Sequence, residues 1–186
     1  MDKNMYRLRP EGTDDLPFIF LVFASVRAWE QPLFGMNDEQ WAAFLNMQFN
    51  LQHTQYLQNY PNPTFDIIML GDTPAGRLYV SRGDGEIRIV DIALLPEYRG
   101  LGIGEGLMKD LLREGDEKGL PVTLHVEKNN TAQDFYRRLG FNVEEDKGVY
   151  WYMVRPCSGS GLGAGGQGNK THSLDEGMVV RGGEKE

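Results

Sequence analysis

One cysteine, Cys157, stands among 186 residues. An intramolecular disulfide is excluded, and a reducing, cytoplasmic location is expected. Histidine is nearly as scarce. His53 and His172 have no metal-ligating company, so no metal is expected. Positive charge is in the minority: 19 Lys and Arg against 27 Asp and Glu leave a net charge of −8. That argues against a nucleic-acid partner, which needs a basic surface. Long apolar runs are missing too. The run from Phe18 to Ala24 is far too short to span a bilayer, and the charged, polar N-terminus lacks the pattern of a signal peptide. A buried helix is expected there, and no membrane partner. Residues 157–186 hold nine of the 23 glycines and no aromatic residue. Such a composition cannot bury enough apolar surface to offset its ordering entropy. The chain therefore divides into a folded domain, 1–156, and a Gly-rich, disordered tail, 157–186.

What is present centres on Arg99-Gly100-Leu101-Gly102-Ile103-Gly104. A β-branched apolar run precedes it and an amphipathic helix pattern follows, with Ile103, Leu107, Leu111 and Leu112 as the stripe. Alternate glycines leave no Cβ in the way, so backbone N–H groups can converge on one anion. The helix start adds its unpaired N–H groups and the positive end of its dipole, and Arg99 adds a planar fork of donors. The loop reads as a pyrophosphate site. A dinucleotide fingerprint fails, because the positions five beyond Gly100 and Gly102 are Glu105 and Leu107. A nucleotide P-loop fails for want of Gly-Lys-Ser/Thr. The Arg/Gln-x-x-Gly-x-Gly/Ala loop of acyl-CoA binding is matched by Arg99, Gly102 and Gly104.

Around this loop the spacing predicts a short strand over 6–9 and a helix from Thr13 or Asp14 to about Trp29. A second helix, from Asn37 or Asp38 to Tyr60, carries Trp41, Phe44, Leu45, Phe49 and Leu51 as its apolar positions. Strands follow over 65–70, 76–80 and 87–95, then the helix that Gly119 stops, and a strand over 122–126. Asn130 with Gln133 resembles a capping box for a helix ending at Gly140, and 141–145 with 149–154 closes as a hairpin.

The strand ending Leu94-Leu95-Pro96-Glu97-Tyr98-Arg99-Gly100, the second strand, and then Asn130-Thr131-Ala132, Tyr136 and Leu139-Gly140-Phe141 together resemble the GNAT superfamily of N-acetyltransferases. The resemblance is strong over 64–154, compatible over 5–63, and ends at Pro156. It departs at Thr131, where many relatives have proline. It implies an α/β (α+β) GNAT fold: a mixed central sheet of about six to seven strands with helices on both faces. It implies acetyl-CoA as cosubstrate, bound by Arg99, Gly100, Leu101, Gly102, Ile103 and Gly104. Backbone groups near Ile92 and Leu94 would pair with the pantetheine amides, Asn130 would hydrogen-bond the same arm, and a β-bulge would splay the strand to open that groove. Tyr136 would protonate the departing thiolate, and Asp91, placed as in polyamine acetyltransferases, would face the acceptor amine and take its proton. Glu127 is the second carboxylate for that work. Arg27, Trp29 and Glu30 lie where such enzymes shape the acceptor pocket.

As residues alone, Asp91 equally reads as a partner of Arg88, Tyr136 as a core tyrosine, and His125 as a structural histidine. The activity expected is transfer of acetyl from acetyl-CoA to a primary amine, small-molecule or peptide, in a ternary complex, by a monomer or homodimer. The alternative is a non-catalytic acyl-CoA-binding sensor module.

Overall fold

Side chains alternate across a strand, and in β2 (Pro63–Leu70) the alternation feeds two cores. Ile68 packs into one apolar cluster, while Ile67 and Met69 pack into another on the opposite face. Both faces of the sheet are therefore covered. The computed structural model describes residues 6–60 and 62–159. Besides β2, its strands are β1 (Arg7–Pro10), β3 (Thr73–Arg82), β4 (Ile87–Leu94), β5 (Val122–Glu127), β6 (Asn142–Lys147) and β7 (Tyr150–Arg155). They form one sheet in the order β1-β2-β3-β4-β5-β7-β6. Only β4 and β5 pair in parallel, as the helical crossover between them requires. This is the mixed, seven-stranded α/β sheet that the sequence implies.

Helices α1 (Leu16–Ser25) and α3 (Asp38–Asn59) cover β2 to β4 on one face. Helices α4 (Ile103–Lys118) and α5 (Gln133–Arg138) cover the other. Asn37 caps α3: its side chain accepts from Gln40 N at 2.9 Å, and Gln40 answers to Asn37 N at 3.1 Å. The buried stripe of α3 is Trp41, Leu45, Phe49 and Tyr56. Leu51, expected on it, is 55% exposed, because it lies two residues past Phe49 and so across the helix.

The first helix is shorter than its expected end at Trp29. At Ser25 the backbone tightens: Arg27 N–H bonds back only three residues, to Ala24 O at 3.1 Å. A 3-10 turn (Ala28–Glu30) and a short α2 (Gln31–Phe34) follow, and Gly35 ends α2 at φ +61°.

The feature that positions the site is in β4. Val80 pairs with Ile89 and Tyr79 with Asp91, so Val90 is an extra residue, a β-bulge. Pairing of β4 with β5 stops at Ile89, opposite Leu124, and the strands part beyond it. The expected bulge and splay are both present. Across the strand, β3 approaches so closely that a Cβ on Gly76 would collide with the Ala93 carbonyl oxygen.

Candidate functional site

Beyond the splay a groove of about 520 Å³ opens between the end of β4, the start of α4 and α5. Ile92 and Leu94 from β4, Arg99, Gly100 and Gly102 from the loop, Ile103 and Gly104 from α4, and Tyr136 from α5 all line it. Eight residues singled out from sequence thus meet at one surface. Leu101, Asn130 and Asp91 do not line it. Leu101 turns outward and is 47% exposed.

The glycine loop folds as its composition demands. Gly100 and Gly102 adopt φ of +72° and +81°, a region that a side chain disfavours. Gly102 caps α4, whose first internal bond runs from Gly106 N to Gly102 O at 3.0 Å. The N–H groups of Ile103, Gly104 and Glu105 therefore precede the helical ladder and open on the groove. A Cβ built on Gly104 meets nothing within 4 Å, so the glycine keeps free space in front of these donors.

Arg99 is fixed beside them: its Nε donates to Leu94 O at 2.9 Å. Its Nη2 is buried with no hydrogen-bond partner among the described residues. Burial pulls the Arg99 guanidinium below its ordinary pKa, with Glu97 opposing. A desolvated cation, an orphaned donor and a helix N-terminus at one groove suit a phosphorylated ligand. The apolar walls of Ile92, Met108 and Phe135 suit a flexible, largely apolar arm, so the residues present fit acetyl-CoA.

Tyr136 is 2% exposed and packs in the core against Phe135 and Phe141, yet it reaches the groove. Burial, and then the negative charge of Asp91, push its pKa well above the ordinary tyrosine value. It is a protonated donor at neutral pH.

Asp91 lies on the other face of β4, 3% exposed. The bulge sets it opposite Tyr79. Its Oδ2 is in direct contact with Arg77 Nη2, and Tyr56 Oη donates to it at 3.5 Å. Arg77 on β3 is thus its ion-pair partner, and Arg88 pairs with Glu86 at 2.9 Å. Receiving a proton here would leave Arg77 a buried cation without its counter-charge.

Asn130 does not form the expected capping box. Its side chain accepts from Ala132 N at 2.8 Å, a local turn, and the N-cap of α5 is Ala132. Gln133 instead donates to Glu127 O at 3.2 Å and Lys128 O at 2.6 Å. Asn130 thus shapes the segment whose Thr131 and Ala132 line the groove.

His125 is half-buried against the Tyr152 ring. Burial, with Arg88 and Lys147 nearby, lowers its pKa to about 4. It is a neutral structural imidazole at physiological pH.

Met108, Phe135 and Arg138 line the groove and escaped the sequence reading. Met108 lies three and four residues before Leu111 and Leu112 and is 1% exposed, so the apolar stripe of α4 was the signal that could have found it. Nothing in the linear sequence marks Arg138. Among the described residues, no group of three His, Cys, Asp or Glu is placed to hold a metal, and no helix is long and apolar enough to cross a membrane.

A family model described as "Acetyltransferase (GNAT) family" matches residues 25–141. The chain belongs to the GNAT acetyltransferase family. Among curated GNAT relatives, it is 32% identical over 80 residues to an N-alpha-acetyltransferase 50 of Danio rerio, covering 41% of this chain and 48% of the relative. It is 34% identical over 67 residues to a [ribosomal protein bS18]-alanine N-acetyltransferase of Haemophilus influenzae, covering 36% and 46%. The matches thus span about half the length of these relatives. The fold superposes on the PaiA N-acetyltransferase of Thermoplasma acidophilum, solved in complex with coenzyme A, with a TM-score of 0.60 at 19% identity, covering 81% of this chain and 98% of that one. An acetyltransferase from Thermus thermophilus gives 0.59 at 22% identity, covering 84% and 99%. At these identities the superpositions show the GNAT fold.

Proposed function

We propose that the protein transfers the acetyl group of acetyl-CoA to a primary amine while both substrates are bound. The observation that carries this is the groove beyond the β4–β5 splay, which joins an orphaned Arg99 donor and the N-terminus of α4 to a buried tyrosine. Membership of the GNAT family supports it.

In this reading the loop from Arg99 to Gly104 holds the pyrophosphate, and the unpaired edge of β4 at Ile92 and Leu94 holds the pantetheine arm. The neutral amine attacks the thioester carbonyl, and a backbone N–H near Leu94 steadies the developing oxyanion. Tyr136 gives its proton to the leaving thiolate. Asp91 acts as a fixed negative charge at the splay, and its contact with Arg77 directs the amine's proton elsewhere, to water or to Glu127. The domain carrying this activity is residues 1–156.

The test is a panel of primary amines with acetyl-CoA, read as amine-dependent thiol release. Release with at least one amine is expected. Tight coenzyme A binding with no release from any amine would favour a non-catalytic acyl-CoA-binding module instead.

A further inference from the structure

Along β4 the side chains change sides once. Ile87 and Ile89 pack under α4, and so do Ile92 and Leu94. Val90 packs with Tyr56 of α3, and Ala93 with Val22 of α1, on the other face. Strict alternation from Ile87 and Ile89 would turn Asp91 and Ala93 toward α4 and the coenzyme groove, and Ile92 and Leu94 away from it. The extra residue at Val90 prevents this, because Val90 and Asp91 then both face α3. The position of the bulge therefore decides which side chains line the groove.

Little in the backbone holds that position. Beyond Ile89 the edge of β4 toward β5 has no strand partner among the described residues, so the stretch from Val90 to Leu94 is held in the sheet by β3 alone. Val90, Ile92, Ala93 and Leu94 are all apolar. A slip of one residue would exchange one apolar side chain for another at every position but Asp91.

Asp91 is 3% exposed and meets Arg77 of β3, also 3% exposed, in a direct ion pair. Arg77 stands opposite Ala93 in the register and reaches back two residues along β4 to make it. Its Nη2 also donates to Gln52 Oε1 at 3.3 Å, and Tyr56 Oη donates to Asp91 Oδ2 at 3.5 Å. Gln52 and Tyr56 lie one turn apart on α3, so the pair is tied to that helix as well as to two strands. In the slipped register Asp91 would enter the apolar cluster under α4 and leave Arg77 behind on the other face, two buried charges without their counter-charges.

The pair is a poor choice for stability alone. Arg77 Nε is buried with no hydrogen-bond partner among the described residues. A buried ion pair often gives way to apolar residues of similar volume without loss of stability. What such a pair supplies is selection of one arrangement over its competitors.

We propose that the Arg77–Asp91 pair pins the bulge at Val90 and so selects Ile92 and Leu94 for the coenzyme groove. Arg77 is then a positioning residue. Its effect on coenzyme A rests on the acetyl-transfer reading above, while the register itself does not.

The test uses two variants of the full chain. Arg77→Met alone would leave Asp91 buried and uncompensated, and the lost stability would confound the result. Arg77→Met with Asp91→Leu removes both charges, so its thermal midpoint should stay near that of the wild type. Arg77→Lys keeps a cation opposite Asp91. Cross-strand nuclear Overhauser effects report the register. The wild type and Arg77→Lys should show Tyr79 against residue 91 and Val80 against Ile89. The double variant should show Tyr79 against Val90 instead or in addition. Binding is the second readout, because Asp91 has its own place in the acetyl-transfer reading. Loss of two backbone hydrogen bonds to the pantetheine arm predicts about 10-fold weaker coenzyme A in the double variant. Adenosine diphosphate, which keeps a pyrophosphate and lacks the arm, should bind as it does to the wild type. A merely destabilised fold would weaken both ligands alike, and that result overturns the proposal. A wild-type register in the double variant overturns it too, as does a shifted register with coenzyme A affinity intact or a register lost in Arg77→Lys. Failure of the wild type to bind coenzyme A overturns the acetyl-transfer reading, and the Overhauser pattern still decides whether the pair pins the bulge.

Discussion

Tyr136 is buried in the core and also lines the groove. Tyr136→Phe keeps the ring and removes the donor. Coenzyme A affinity should hold, while kcat falls by the roughly 10²–10⁴-fold typical of a lost general acid. An unchanged kcat, measured where chemistry limits the rate, would remove Tyr136 from the mechanism. His125 shows the opposite case, a titratable group whose perturbation concerns stability. Its folded-state pKa of about 4 lies below the ordinary 6.5. As pH falls, the unfolded chain takes up the proton first, so stability is full above pH 6.5 and declines toward pH 4. By pH 5 the loss should be up to about 2 kcal/mol. Glu114 and Asp15, lowered to about 2 by Arg82 and Arg9 respectively, lose their contributions only below about pH 4.5, so they leave this window clear. Urea unfolding at pH 7 and pH 5 checks it: His125→Gln should flatten the difference, and an equal decline in the variant would assign the effect elsewhere.

At the scale of elements, the glycine loop and α4 carry most of what a pyrophosphate would touch. Gly102→Val would strain a backbone held at φ +81° before any ligand arrived. Gly104 is the cleaner probe, because a Cβ there meets open space. Gly104→Val should keep the thermal midpoint within a few degrees and weaken coenzyme A by 10-fold or more in calorimetry. Unchanged affinity would move the phosphates to another place. This loop was legible in the sequence because its signal is local: glycine spacing, a preceding apolar strand and a following amphipathic helix all lie within some twenty residues. Asp91 was legible as a position but not in its company. Its partner Arg77 lies 14 residues away on a neighbouring strand, and the register that joins them depends on the bulge at Val90. Asn130 failed differently. Its spacing to Gln133 fits a capping box, but its side chain bonds two residues ahead, a competition that composition does not resolve. A cavity of about 690 Å³ bordered by both Trp29 and Val149 was the least legible, since these residues are 120 positions apart and the sheet order β5-β7-β6 brings the hairpin turn to the α1–α3 connection.

For the whole molecule, the open question is where the fold stops. Composition places the boundary after Pro156, but the described chain continues to Gly159 and has one more attachment. Ser158 N–H donates to Asp116 Oδ1 at 2.6 Å, and Ser158 Oγ lies 3.0 Å from Asp116 Oδ2. The same carboxylate, near the end of α4, pairs with Arg155 and is held well below the usual carboxylate range by that guanidinium first and by Ser158 next. The Arg155 pair would survive a cut after Pro156, while the Ser158 bonds would not. Exposed polar contacts of this kind contribute little, so for a domain of this size their loss should lower the thermal midpoint by about 2–4 °C at most. Residues 160–186 lie outside the described residues, and their composition alone motivates the companion variant. A chain ending at Gly159 keeps the Asp116 contacts, so it should melt within about 2 °C of the full chain and bind coenzyme A equally well. The two truncations therefore separate two ideas in one calorimetric experiment. A fall confined to the shorter chain would place the boundary at Ser158. A fall of 4 °C or more in the chain ending at Gly159 would mean that the glycine-rich segment docks on the domain, against the composition argument that sets it apart.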